Sequence, residues 1–266
     1  MKLIKKITGA LVVLLFLISC GSVPMTGRRQ MLLVSDAEVL SASLTQYDEY
    51  IKTAPKSTDR TKSATVERVG KKIAAATEDY LKQNGMEKEI DNFRWEFNLI
   101  KEDAVNAFCM PGGKIVVFEG LLPLAASDDE LAVVLGHEVA HAVAKHSNER
   151  MSQEILAQYG ASIVDAALSQ KTAIVQQLGN SVFGLGAQLG VMLPYSRKHE
   201  YEADHLGLVF MTLAGYNPNS ALSFWQKMEA NSGKSGGSDV MSTHPSDSKR
   251  IAEIQKLLPQ MEKYKR

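Results

Sequence analysis

Residues 135–146 read LGHEVAHAVAKH, inside a stretch whose other positions include Leu131, Val133, Val134, Val139, Ala140 and Val143. A helix this apolar belongs in a core. Yet it carries two histidines four apart and a glutamate directly after the first. Buried ionisable groups are costly unless partners or a metal satisfy them. Whatever fold the chain takes must therefore build something around His137, Glu138 and His141. Residues i and i+4 share a helix face, so His137 and His141 can both aim an imidazole at one zinc ion. Glu138, turned about 100° from His137, stands beside that ion, where it can deprotonate a water. With 6 His and 18 Glu in 266 residues, chance yields this spacing in roughly 1% of chains of this composition.

A catalytic zinc has three protein ligands and an open position. The metzincin pattern requires Gly at 144 and His at 147, and Ala144 and Ser147 exclude it. His146 lies five residues past His141 and reads as a surface residue. The better third ligand is in SRKHEYEADHLG. Glu200 and Asp204 are i and i+4 on one helix face: Glu200 would ligate, and Asp204 would sit behind, accepting a hydrogen bond from the second nitrogen of a ligand histidine. Glu202 is a rival ligand that faces elsewhere. His199 and His205 read as solvated or helix-face histidines.

The N-terminus is a targeting signal in appearance. Lys2, Lys5 and Lys6 precede an unbroken apolar run, Ala10 to Ile18, too short to span a bilayer. It ends in Leu17-Ile18-Ser19-Cys20, which resembles a bacterial lipobox. The expectation is a signal peptide over 1–19, lipidation at Cys20, a tether over 20–35 and one domain over 36–266. Removing residues 1–19 takes away three lysines and no acid, so the formal charge falls from +0 to −3. No basic excess remains to bind nucleic acid. Gly21 after the cysteine favours the outer membrane, with the chain facing the periplasm. Cys109, the second of two cysteines, reads as a buried core thiol.

The periodicity predicts an α+β, mainly helical fold. Helical spacing runs through 36–84 and stops at Asn84-Gly85. FRWEFNLI alternates as a half-buried strand, and a second strand over 114–118 follows Pro111-Gly112-Gly113. The two are expected to pair antiparallel, in a small sheet packed on the HExxH helix. Ser127-Asp128-Asp129-Glu130 opens that helix as a capping box, and the helix is expected to run to about Glu149. The stretch 152–193 is alanine- and glycine-rich, with too many polar residues for a membrane span; 167–193 could serve as a lid. Helices over 195–214, 219–231 and 246–258 complete the chain.

HEVAH followed by SRKHEYEAD resembles the HExxH gluzincins related to the HtpX heat-shock peptidase, the CAAX prenyl protease and the mitochondrial Oma-type peptidase, in their soluble bacterial lipoprotein branch. VNAFCMPGGKIVVFEGLL, THPSDSKRI and MTGRRQMLLVS are similar to three further family segments. The resemblance implies a zincin-like fold with one Zn2+ per chain on His137, His141 and Glu200, and Glu138 as general base. Asp204 becomes a proton donor or supporting acid. His244 would approach the scissile carbonyl and stabilise its oxyanion. Asn106, with Ile115 and Val116 of the strand 114–118, would edge the cleft and hold an extended substrate by β-augmentation. Arg250 is expected to pair with an acid near the site. The HtpX and CAAX branches surround this core with transmembrane helices. None is legible here after the signal, which argues against a substrate embedded in the bilayer.

The expected activity is endoproteolysis of misfolded or misassembled cell-envelope proteins, with protein or peptide substrates and a membrane contact through Cys20. The competing expectation is a non-enzymatic, zinc-stabilised lipoprotein that binds or chaperones such proteins. Three ligands plus a placed glutamate favour the enzyme, since a structural zinc takes four.

Overall fold

The computed structural model describes residues 20–159, 196–231, 244 and 248–265. The predicted signal peptide, most of the alanine-rich stretch and the possible lid over 167–193 lie outside them. Within them the chain is α+β and mainly helical. α1 (Asp36–Thr53) starts at Ser35, which forms a capping box with Glu38. It ends at Ala54, forced to extended geometry by Pro55. α2 (Arg60–Gln83) is capped by Asp59 and is followed by a single turn, α3 (Glu87–Ile90). The strands β3 (Glu96–Ile100), β4 (Ala107–Met110) and β5 (Lys114–Phe118) then form one sheet. An N-terminal pair, β1 (Cys20–Ser22) and β2 (Arg29–Met31), forms a separate antiparallel hairpin.

The sheet order is β3-β5-β4, with β3 parallel and β4 antiparallel to β5. The antiparallel pairing expected between the first strand and 114–118 is corrected here. A third strand, β4, reverses the direction through the Pro111-Gly112-Gly113 turn, whose glycines have φ of +93° and +78°. β5 is central, and both its faces are covered. Ile115 and Val117 face a core shared with α2 and the HExxH helix; Val116 and Phe118 face a second core shared with α1. β5 is thus an apolar run rather than an alternating one, as expected of a strand buried on both sides.

α4 (Asp128–Val143) is the HExxH helix. Its cap, Ser127, accepts from Glu130 N at 3.2 Å, while the Glu130 carboxylate reaches back to Ala126 N. The helix stops short of the expected Glu149. Lys145 takes a left-handed φ of +56°, and a separate helix, α5 (His146–Tyr159), begins after it. α6 (Arg197–Leu213), α7 (Ser220–Asn231) and α8 (Ser248–Leu257) follow. No helix among the described residues is long and apolar enough to cross a membrane.

Residues of the segment 20–35 pack against the domain. Val23 is buried in the first core and Val34 in the second. Arg28 forms a salt bridge with Glu149 at 2.7 Å. Apolar burial and a charge pair dock this segment on the domain.

Candidate metal centre

α4 carries His137, Glu138 and His141; α6 carries Glu200 and Asp204. The two helices touch backbone to backbone at Gly136 and Gly207. A Cβ on Gly136 would sit 2.8 Å from Gly207 O, and one on Gly207 would sit 2.8 Å from His137 N. Only two glycines allow this approach, and it brings short side chains from both helices to one point. Ser196 caps α6, accepting from His199 N, and so sets Glu200 in the first turn, where the helix dipole favours an anion.

The four donors converge tightly. His137 Nε2 and His141 Nε2 lie 3.0 Å apart. Glu200 Oε2 is 3.3 Å from His137 Nε2, and Glu200 Oε1 is 3.4 Å from His141 Nε2. His244 Nδ1 is 3.2 Å from His137 Nε2 and 3.1 Å from Glu200 Oε1. All four residues are buried, with ligand atoms within 4.8 Å of one another. A tetrahedral zinc with bonds of ~2.0–2.1 Å has edges of about 3.3–3.4 Å. The quartet matches both that size and zinc's donor chemistry, three imidazole nitrogens and a carboxylate, so it is compatible with one divalent ion.

The groups behind the quartet differ from donor to donor. His137 Nδ1 meets Asp204 Oδ1 at 3.0 Å. Arg250 grips the same carboxylate through Nε at 2.5 Å and Nη2 at 2.8 Å, and lies 2.9 Å from Glu200 Oε2 through Nη1. Its guanidinium stacks 3.8 Å from the Trp225 ring centroid. Burial opposes a charged His137, but the hydrogen bonds to Asp204 and Glu200 prevail and raise its pKa to about 9. Burial dominates at His141 and drives its pKa well below the ordinary value. At Glu200 burial favours the neutral acid, yet His244 and Arg250 hold its pKa well below the carboxylate range.

Glu138 is 2% exposed, and burial pushes its pKa up. The Cys109 backbone N–H of β4 hydrogen-bonds its carboxylate, and His244 Nε2 lies 3.6 Å from Glu138 Oε1. β4 is an edge strand of the described sheet and runs along this site. Ile115 and Val116 are therefore misassigned as a cleft edge: they lie on the central strand, hydrogen-bonded on both sides and fully buried. Asn106, just before β4, is buried, and its Oδ1 has no hydrogen-bond partner among the described residues. Cys109 is buried, and burial raises its thiol pKa well above the usual value.

His146 and His199 need correction. Both are buried, with rings stacked 4.4 Å apart. The break at Lys145 swings His146 inward, to within 2.9 Å of His141 Nδ1. Nothing in AKHS announces that break. Burial lowers the His146 pKa to about 4. His199 Nε2 meets Glu149 Oε2 at 3.0 Å. His205 is half-buried, and Glu202 faces away from the quartet toward His146.

A glutamate-bearing helix crossing an HExxH helix, both beside a small sheet, defines an HExxH metallopeptidase core. The profile described as Peptidase family M48 matches residues 61–258, and the chain belongs to that family. Over 179 residues it is 38% identical to the mitochondrial metalloendopeptidase OMA1 of Schizosaccharomyces pombe, covering 64% of this chain and 49% of the relative. The Arabidopsis thaliana OMA1 is 40% identical over 172 residues, covering 64% and 33%. The beta-barrel assembly-enhancing protease of Escherichia coli is 27% identical over 174 residues, covering 63% and 35%. The chain spans about half or less of the length of these relatives.

Proposed function

We propose that the protein is a zinc-dependent endopeptidase acting on misfolded or misassembled cell-envelope proteins. The observation that carries this reading is the buried quartet of zinc dimensions with Glu138 beside it. His137, His141 and Glu200 would hold one Zn2+ per chain. Zinc held there supplies a Lewis acid that acidifies a water and polarises a peptide carbonyl. Glu138 takes the proton of the attacking water and delivers it to the leaving nitrogen. Its burial lifts its pKa toward the working range of a general base. Asp204, on the far side of His137, orients that ring rather than touching substrate. The outer edge of β4 would pair with an extended substrate, with Asn106 at its start.

Zinc content and casein cleavage test this. Glu138→Gln should retain one zinc per chain and lose activity by ~10²–10⁴-fold. Persistent cleavage in that variant sinks the mechanism.

His244 gives specific support to a second reading. With its Nδ1 in the quartet, four protein donors are present, as in a structural zinc site. The protein would then be a zinc-stabilised binding or chaperone module. In the enzyme reading, His137, His141 and Glu200 would hold the zinc, and His244 would serve the scissile carbonyl instead of the metal. His244→Ala separates the two readings. The enzyme keeps its zinc on three ligands; the structural site loses both zinc affinity and thermal stability.

The lipobox-like LISC supports lipidation at Cys20, a periplasm-facing membrane anchor and, through Gly21, the outer membrane. Labelling with a fatty acid should mark the wild type and fail with Cys20→Ser. Label persisting in that variant would remove the anchor from the reading.

A further inference from the structure

The far nitrogen of His141 begins a chain of contacts that ends in the N-terminal hairpin. His141 Nδ1 lies 2.9 Å from His146 Nδ1, and His146 Nε2 lies 3.0 Å from Glu202 Oε2. Glu202 Oε2 accepts from Arg28 Nε at 2.7 Å, and Glu202 Oε1 accepts from Thr26 Oγ1 at 2.5 Å. Arg28 also grips Glu149 with two prongs, Nη1 at 3.0 Å and Nη2 at 2.7 Å. Arg28 is thus fixed by two carboxylates from two helices.

One arrangement of protons makes each of these contacts a hydrogen bond with both imidazoles neutral. Glu202, ionised and bound to Arg28, can only accept. His146 must therefore present Nε2–H to it, which leaves a lone pair on His146 Nδ1. That lone pair accepts from His141, so the His141 proton sits on Nδ1. Its Nε2, the atom in the quartet, is then bare, as a metal ligand must be. The reversed chain would set a bare His146 Nε2 against a carboxylate at 3.0 Å, which is repulsive.

We propose that Arg28 is a positioning residue for the metal centre, acting through Glu202 and His146 to fix the tautomer and orientation of His141. This rests on His141 being a metal ligand. It makes the N-terminal hairpin part of the peptidase site rather than a spacer before it. Groups behind a metal ligand commonly set its basicity and are worth 10–100-fold in affinity.

The test is zinc affinity of the full chain, by competition with a chromophoric chelator, beside 15N-histidine NMR of the metal-free protein. His146→Phe keeps ring volume and stacking but removes both nitrogens; it should weaken zinc binding by ~10–100-fold. His199→Phe, a neighbour in the same buried cluster, should stay within about threefold of wild type, well short of that loss. Wild-type His141 should show the Nδ1–H tautomer, and Glu202→Gln, free to turn an NH2 toward His146, should redistribute it. Zinc affinity unchanged in His146→Phe, or equally weakened in His199→Phe, overturns the proposal. Should His146→Phe fail to fold, Arg28→Lys carries the test, because an ammonium cannot fork across two carboxylates. A several-fold weaker affinity with the same metal-free melting temperature supports the proposal; an unchanged affinity overturns it. A wild type that binds no zinc would instead remove the metal reading itself.

Discussion

His137 and His141 stand on one helix, four residues apart, with Nε2 atoms 3.0 Å from each other. Behind them the molecule differs. His137 is backed directly by the carboxylate of Asp204, which Arg250 holds in turn. His141 is backed by another imidazole, His146, and only beyond it by the carboxylate of Glu202 and by Arg28. The inserted ring changes the electrostatics. A carboxylate in contact overcomes burial and lifts the His137 pKa to about 9. At His141 burial is opposed only by Glu200 and is reinforced by His137 and His146, and the pKa falls well below its ordinary value. The supports also come from opposite ends of the chain. Arg250 is on α8, sealed under Trp225, whereas the Arg28 side chain, on the N-terminal hairpin, keeps 13% exposure.

The direct arm should be the more sensitive. Asp204→Ala strips His137 of its acceptor and Arg250 of two hydrogen bonds in a buried setting. Leaving such a charge short of partners costs about 3–5 kcal/mol, or a fall in melting temperature of roughly 6–20 °C. Zinc affinity should fall by ~100-fold, the top of the range for such supports. Calorimetry and chelator competition read both quantities. A loss no greater than that of His146→Phe would erase the distinction between the arms.

Gly207→Ala tests what the arms share. The added methyl meets the backbone of α4 at 2.8 Å, and backbone cannot yield as a side chain can. Overpacking of this kind costs about 1–3 kcal/mol, and the melting temperature should drop by roughly 2–12 °C. Zinc affinity should fall as well, because both histidines move relative to Glu200. An unchanged affinity would mean the helix contact does not set ligand spacing.

The direct arm was legible in the sequence and the relayed arm was not, for a physical reason. His137, His141, Glu200 and Asp204 follow from i,i+4 periodicity, which operates inside single helices. His146 depends on a break between two helices at Lys145, a lysine at φ +56° with no glycine or proline beside it. On an uninterrupted helix the same residue points outward. Glu202 was correctly turned away from the metal, but its partner Arg28 is 174 residues distant, and no local pattern links them. The sheet followed the same division. The strands over 93–100 and 114–118 came from alternation, apolar runs and turn signals, but the short β4 that makes β5 central did not. The resemblance put the cleft edge at Ile115 and Val116, and only the third strand shows them to be central.

The relayed arm should also be acid-labile at its outer end. The Glu149 pKa is about 2 in the folded chain: burial opposes ionisation, but His199 and Arg28 outweigh it. Its unfolded value is near ~4.3. A carboxylate with a depressed folded pKa adds stability above the unfolded value and loses it as pH falls toward the folded one. Wild type should therefore lose on the order of 3 kcal/mol from this group between pH ~4.3 and ~2. Glu149→Gln should be less stable at neutral pH and flatter across that window, as read by urea unfolding at a series of pH values. Parallel acid limbs in the two proteins would show that the Arg28 fork does not hold Glu149 ionised.

The smallest effect belongs to a third arginine fork, one lying in water. Arg68 grips Asp128, in the first turn of α4, with Nη1 at 2.6 Å and Nη2 at 2.9 Å. The geometry rivals the Arg250 fork, and the acid sits on the helix that bears both histidines. But the side chains are 56% and 44% exposed, so solvent screens the pair and competes for its hydrogen bonds. Arg68→Ala should shift the melting temperature by less than about 2 °C and leave zinc affinity unchanged. If it weakens zinc as His146→Phe does, then any loosening of α4 reaches the metal, and the specific contacts behind His137 and His141 do not carry the effect. If zinc binding holds, the same guanidinium–carboxylate fork counts for little in water. What distinguishes Arg28 and Arg250 is then burial and a line of hydrogen bonds that ends on a ligand.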